Sequence, residues 1–195
     1  SASASYTLTM PNNDGDANQV LTTNGSGVLS FTTPTVGGIT VADQWRLTTN
    51  LSASTTGSFV HISSNLARVS ATGQGTIGTA MSNSSGTFTF PLTGIYLVNF
   101  QIQYYDANAS NVALGAGIDV SVNNGSSYAN VAQNYTNTHD DGANVNAVAI
   151  TSSLIDVTNA STTKIRFYYY ASGAATIYGT STNSTFMTFT RLGDT

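Results

Sequence analysis

Ile95-Tyr96-Leu97-Val98-Asn99-Phe100-Gln101-Ile102-Gln103-Tyr104-Tyr105 decides the fold class of this chain. Tyr96, Val98, Phe100, Ile102 and Tyr104 fall on one face and Asn99, Gln101 and Gln103 on the other, a period of two that no helix produces. One side of such a strand is core and the other is mostly wet. The alternation recurs outward from this point. Residues 163–170 set Ile165, Phe167 and Tyr169 against Lys164, Arg166, Tyr168 and Tyr170. Residues 117–122 and 128–133 flank Asn123-Asn124-Gly125, a hairpin signal because Asn and Gly tolerate the positive φ angles of such turns. Residues 185–192, Thr-Phe-Met-Thr-Phe-Thr-Arg-Leu, predict a last strand stitched into the sheet. From Ala42 onward eight to ten strand candidates follow one another at the spacing of a sandwich or barrel.

Composition agrees with an all-β reading. The chain has 195 residues, enough for one domain of this kind and a short appendix. Only 7% of residues are charged although 40% are hydrophobic, so solubility rests on Ser, Thr, Asn and Gly. Lys164 is the only lysine and glutamate is absent. A surface almost without long flexible side chains loses little entropy when packed, which suits a rigid assembly. The net charge is −4, and Arg46, Arg68, Lys164, Arg166 and Arg191 are scattered, so a nucleic-acid footprint is not expected. No apolar run reaches the roughly 18 residues of a membrane-spanning helix, and membrane insertion is not expected. With no cysteine, disulfides and thiolate metal sites are excluded.

The first 41 residues read differently from residues 42–195. Gln19-Val20-Leu21-Thr22-Thr23, Asn24-Gly25-Ser26-Gly27 and Val28-Leu29-Ser30-Phe31 spell strand, glycine turn, strand. An isolated hairpin is marginal in water, so Val20, Leu21, Val28, Leu29 and Phe31 are expected to find a partner. Thr33-Pro34-Thr35-Val36-Gly37-Gly38 reads as a linker. The expected organisation is an attachment arm over 1–41 and a head over 42–195.

The stretch Gly86-Thr87-Phe88-Thr89-Phe90-Pro91-Leu92-Thr93-Gly94-Ile95-Tyr96-Leu97-Val98-Asn99-Phe100 resembles the aromatic signature of the complement C-one-q globular head, a relative of the tumour necrosis factor jelly roll. Ser184-Thr185-Phe186-Met187-Thr188-Phe189 resembles that family's closing strand, with Met187 and Thr188 in place of its small residues. The resemblance implies an antiparallel jelly-roll sandwich and a homotrimer with aromatic and aliphatic side chains on the threefold axis. Tyr104, Tyr168, Tyr170 and Phe189 are the interface candidates it suggests. Tyrosines beside cations on strand 163–170 fit a protein contact, or else rings capping the sandwich. Met10-Pro11 followed by the hairpin is similar to a motif of tail fibres and other appendages of bacterial viruses, which implies a virion surface and attachment to other virion proteins.

Enzymatic chemistry has little to draw on. His61 and His139 are the only histidines, and no nucleophile elbow or phosphate-cradling loop is present. His61, in Phe59-Val60-His61-Ile62, reads as a strand residue. His139, Asp140 and Asp141 are the candidate ligands for a divalent cation such as calcium, against the plainer reading of an Asp-Gly turn; calcium wants about six to eight oxygens, and one loop supplies about three. No cofactor and no catalytic residue are expected. The leading expectation is the trimeric head of a phage tail fibre, spike or head fibre, with loops 105–113 and 134–144 touching a host surface glycan or protein. The alternatives are a capsid-decoration or tail-adaptor protein, and a secreted bacterial adhesin.

Overall fold

Val, Ile, Phe, Tyr and Thr in runs of a few residues, punctuated by Asn, Ser and Gly, cannot sustain a helix, and among the described residues the chain forms none. The structure, a computed structural model, describes residues 5–34, 37–54, 57–107, 113–138 and 144–195. It divides into two units, Ser1–Gly38 and Ile39–Thr195. The break falls slightly before the expected one because Val41 is already fully buried in the head and its carbonyl accepts a hydrogen bond from the Arg191 N–H.

The first unit holds β1 (Val20–Thr23) and β2 (Leu29–Thr32), paired antiparallel with Leu21 opposite Phe31 and Thr23 opposite Leu29. Asn24 Oδ1 closes the turn by accepting the Ser26 and Val28 N–H groups at 2.9 and 3.2 Å. A third segment joins this hairpin: Thr9 bridges Val28 in parallel, donating to the Gly27 carbonyl and accepting from the Leu29 N–H.

The second unit carries β3 (Ala42–Leu47), β4 (Leu51–Ala53), β5 (Val60–His61), β6 (Leu66–Arg68), β7 (Ser82–Ser84), β8 (Thr87–Thr89), β9 (Gly94–Asp106), β10 (Leu114–Ser121), β11 (Ala129–Thr136), β12 (Val145–Val157), β13 (Lys164–Ala171), β14 (Ala175–Ile177) and β15 (Phe186–Gly193). They form two antiparallel sheets. One runs β11-β10-β13-β8-β7, with β5 beside β8 along the edge of β13. In the other, β12 lies along the whole of one edge of β9, β15 and β14 share the opposite edge, and the order continues to β3 and β6 beyond β15 and to β4 beyond β14. Neighbours in space that are distant in sequence are the mark of a jelly roll, as the resemblance implied. The expected count of eight to ten head strands is exceeded by short pieces, β4 to β8 and β14, too brief to show a period.

Between the sheets, Phe88, Phe100, Phe167 and Phe189 form one ring cluster with centroid separations of 5.0 to 5.8 Å. Trp45 packs edge-on to Phe88 at 5.3 Å. Asp43 is the one carboxylate at the heart of this edge: it accepts from Trp45 Nε1, Arg68 Nε and the Met81 N–H at 2.9 to 3.2 Å, tying β3 to β6 and to the segment before β7. The corner at the start of β9 needs glycine. Gly94 has φ +137°, and a Cβ there would collide with the Gly193 carbonyl of β15.

Candidate interaction surfaces

Sheet strands offer two faces, and what covers the outward one decides what the molecule can do. On β12, Ala147, Ala149, Ile155 and Val157 point into the core, while Val148, Ile150 and Leu154 point out and are 44, 53 and 63% exposed. A strand apolar on both faces is the pattern of a strand buried on both faces. Register places Val148 beside Gln103, Ile150 beside Gln101 and Leu154 beside half-buried Leu97 on β9. Across β9, half-buried Phe186 of β15 sits level with Gln101, and Arg46 of β3 sits level with Phe186. Amides frame this patch: Gln101 Nε2 donates to the Ser184 carbonyl, Gln44 Nε2 to Thr188 Oγ1 and Asn183 Nδ2 to Gln44 Oε1. Arg46 Nε and Nη1 are buried without a hydrogen-bond partner within the chain.

The other sheet treats its outward face differently. Along β13, Lys164 Nζ donates to Thr89 Oγ1 and the Ser161 carbonyl, and Arg166 Nε donates to Thr87 Oγ1 while its guanidinium carbon lies 3.9 Å from the centroid of Tyr128. Tyr168 packs on His61 at 5.5 Å. Tyr170 contacts Phe59 at 5.7 Å and Tyr135 at 5.4 Å, and those two rings touch each other. Room for them comes from β10: a Cβ on Gly115 would stand 3.0 Å from the Tyr135 ring, and one on Gly117 3.2 Å from Phe59. Burial, only partly offset by a backbone hydrogen bond, lowers the His61 pKa below its ordinary 6.5, so the ring stacks on Tyr168 as a neutral imidazole.

Two of the four interface candidates, Tyr104 and Phe189, are corrected by their positions. Tyr104 and Phe189 are fully buried inside the head; Tyr104 donates to the Gly115 carbonyl at 2.6 Å and the Tyr170 carbonyl at 3.2 Å, linking the two sheets, and Phe189 belongs to the ring cluster. Burial also pushes the Tyr104 hydroxyl far above its usual pKa. Neither side chain reaches a surface, because both share the inward parity of Phe100 and Met187. Tyr168 and Tyr170 are half-buried by rings of their own chain. Val148, Ile150 and Leu154 were not singled out in the sequence; their signal was apolar residues at both parities of 145–157.

In the arm, parity also sorts the side chains. Leu21, Leu29 and Phe31 share a face by the β1–β2 register, and Leu8 and Met10, flanking Thr9, lie on that same face, opposite Val28. Leu8, Met10 and Leu21 are 45, 64 and 45% exposed, whereas Gly15 closes over the Phe31 ring. The other face carries Val20, Val28 and a hydroxyl ladder in which Thr32 donates to Thr22 and Thr22 to the Ser30 carbonyl.

His139, Asp140 and Asp141 lie outside the described residues, as do 108–112 of the first candidate binding loop. Among the described residues no three His, Asp or Glu side chains gather as a metal centre would need. Among them, too, no helix is long and apolar enough to cross a membrane.

No sequence family matches the chain, and no curated protein matches it. Solved structures do. Murine APRIL at pH 5.0 superposes with a TM-score of 0.57 at 12% identity, covering 78% of this chain and 98% of that one. Eiger TNF from S. frugiperda superposes with a TM-score of 0.61 at 12% identity, covering 81% and 96%. The PRD1 vertex protein P5 aligns over 80% of this chain at 17% identity, but with a TM-score of 0.48, too loose to bear on function. The fold is therefore a tumour necrosis factor-like jelly roll.

Proposed function

We propose that the chain is a non-enzymatic structural protein of a virion surface: a homotrimeric jelly-roll head of a phage tail fibre, spike or head fibre, held by its N-terminal arm and presented to the host cell. The observation that carries this reading is the outward face of β9 and β12. Val148, Ile150 and Leu154 stand exposed on this face, with half-buried Leu97 and Phe186 on the strands alongside. Exposed apolar side chains interspersed with amides are the anatomy of an interface between proteins. The two sheets differ on their outward sides: Tyr168 and Tyr170 of β13 are half-buried by rings of their own chain, whereas Val148, Ile150 and Leu154 of β12 are exposed. The arm supports the virion address through its likeness to appendage motifs, and its exposed apolar residues support attachment.

Host attachment is tested by incubating the purified chain with susceptible cells before infection. Saturable binding that blocks infection supports the receptor-binding role. Absence of binding by a well-folded trimer overturns it and favours the purely structural alternative, a capsid-decoration or tail-adaptor protein whose arm docks into a shell; the arm's exposed Leu8, Met10 and Leu21 are the observation behind that second reading.

A further inference from the structure

The arm presents a second unpartnered surface whose chemistry names its occupant. Leu21, Leu29 and Phe31 of the two-stranded sheet, with Leu8 and Met10 on either side of the Thr9 bridge, make one face, and three of the five are 45 to 64% exposed. The face is amphipathic in the strict sense: hydroxyls of Thr22, Ser30 and Thr32 bond among themselves on the reverse. Asp14 and Asp16 are the only charges in residues 1–41, and both precede the hairpin. Among the described residues β1 pairs only with β2, and its outer edge carries none of the lysines, prolines or inward charges that normally guard an exposed edge.

The geometry points to the same face of neighbouring copies as the occupant: the arms pack against one another, apolar face to apolar face. A unit of this size falls below the roughly 40 residues at which oligomerisation becomes the usual source of stability. Copies joined through their heads hold their arms at an effective concentration on the order of millimolar, so even a weak apolar contact is made. Uncharged surfaces meet without repulsion around a symmetry axis, whereas charged ones would set like against like. This inference rests on the head assembly proposed above and extends that interface along the chain. The reverse face, with Val20 and Val28, is left for other virion proteins.

The absence of cysteine makes the test clean. Leu21→Cys and Val20→Cys are made in the full chain; the two positions are adjacent in β1, 45 and 47% exposed, and on opposite faces. Both are treated with a short bismaleimide at low micromolar protein, with mass followed by light scattering in parallel. The expected result is covalent dimer from Leu21→Cys at least about tenfold faster than from Val20→Cys, at a rate independent of protein concentration. Equal rates in an intact assembly overturn the arm packing alone and leave the face to a foreign protein. A monomer by light scattering overturns the head assembly, and this inference with it.

Discussion

Strands β12 and β13 are built alike and finished differently. Each carries apolar side chains at both parities, and each presents its inward set to the same core. On β13 the chain returns to cover the outward set: His61 lies over Tyr168, Phe59 and Tyr135 over Tyr170, and Tyr128 over Arg166. On β12 Asn134 of β11 donates to the Ile150 carbonyl at 2.8 Å, but the side chains of Val148, Ile150 and Leu154 remain exposed. A polypeptide that spends four aromatic residues and two floor glycines on closing one face has the means to close the other. In the proposed assembly another copy of the chain covers that second face.

Substitutions along the two strands break or sharpen this contrast. The largest loss is expected at the shared core. Phe167→Ala removes a fully buried ring from the Phe88–Phe100–Phe189 cluster and costs about 3–5 kcal/mol in chemical denaturation, whatever the oligomeric state. Tyr170→Ala, outward on β13, strips two ring contacts from a half-buried site and should cost about 2 kcal/mol while leaving the assembled mass unchanged. A mass change with no stability loss there would reverse the assignment of the two faces. Ile150→Asp, outward on β12, should alter the stability of the separated chain by no more than about 0.5 kcal/mol, read at concentrations low enough to dissociate the assembly.

The smallest effect is the pH response of the covered face. The folded His61 pKa lies below its ordinary 6.5, so the unfolded chain takes up the proton more readily. Its contribution is fully present above about pH 6.5 and is lost as pH falls from there through the lower folded value. His61→Gln should flatten that part of the stability profile in urea titrations at pH 5 to 8. An unchanged slope would show that the stack on Tyr168 does not depend on a neutral ring.

Much of this was legible in the residues. The eleven-residue alternation from Ile95 marks β9 with its true parity, and Asn124 and Gly125 take the positive φ angles, 59° and 84°, that their identities announce. The arm's hairpin follows Gln19 to Phe31 closely. Other features were hidden for physical reasons. β12 mixes apolar residues at both parities and is interrupted by Thr151-Ser152-Ser153, so a search for alternation passes over the strand whose exposure matters most. Tyr104 and Phe189 show that a large aromatic residue on a strand declares burial without declaring in what; only their parity with Phe100 and Met187 separates core from interface. The cover on β13 arrives from residues dozens of positions away, and no local pattern reveals such a contact.

The central claim is that the β9–β12 face is closed by copies of the same chain. Light scattering on the purified protein at micromolar concentration, beside the double variant Ile150→Asp/Leu154→Asp, tests it most directly. The account predicts three times 20.2 kDa for the natural chain and one times that mass, with an unchanged β-type circular dichroism spectrum, for the variant. A natural chain that is monomeric, or a variant that keeps the full assembled mass, would contradict it.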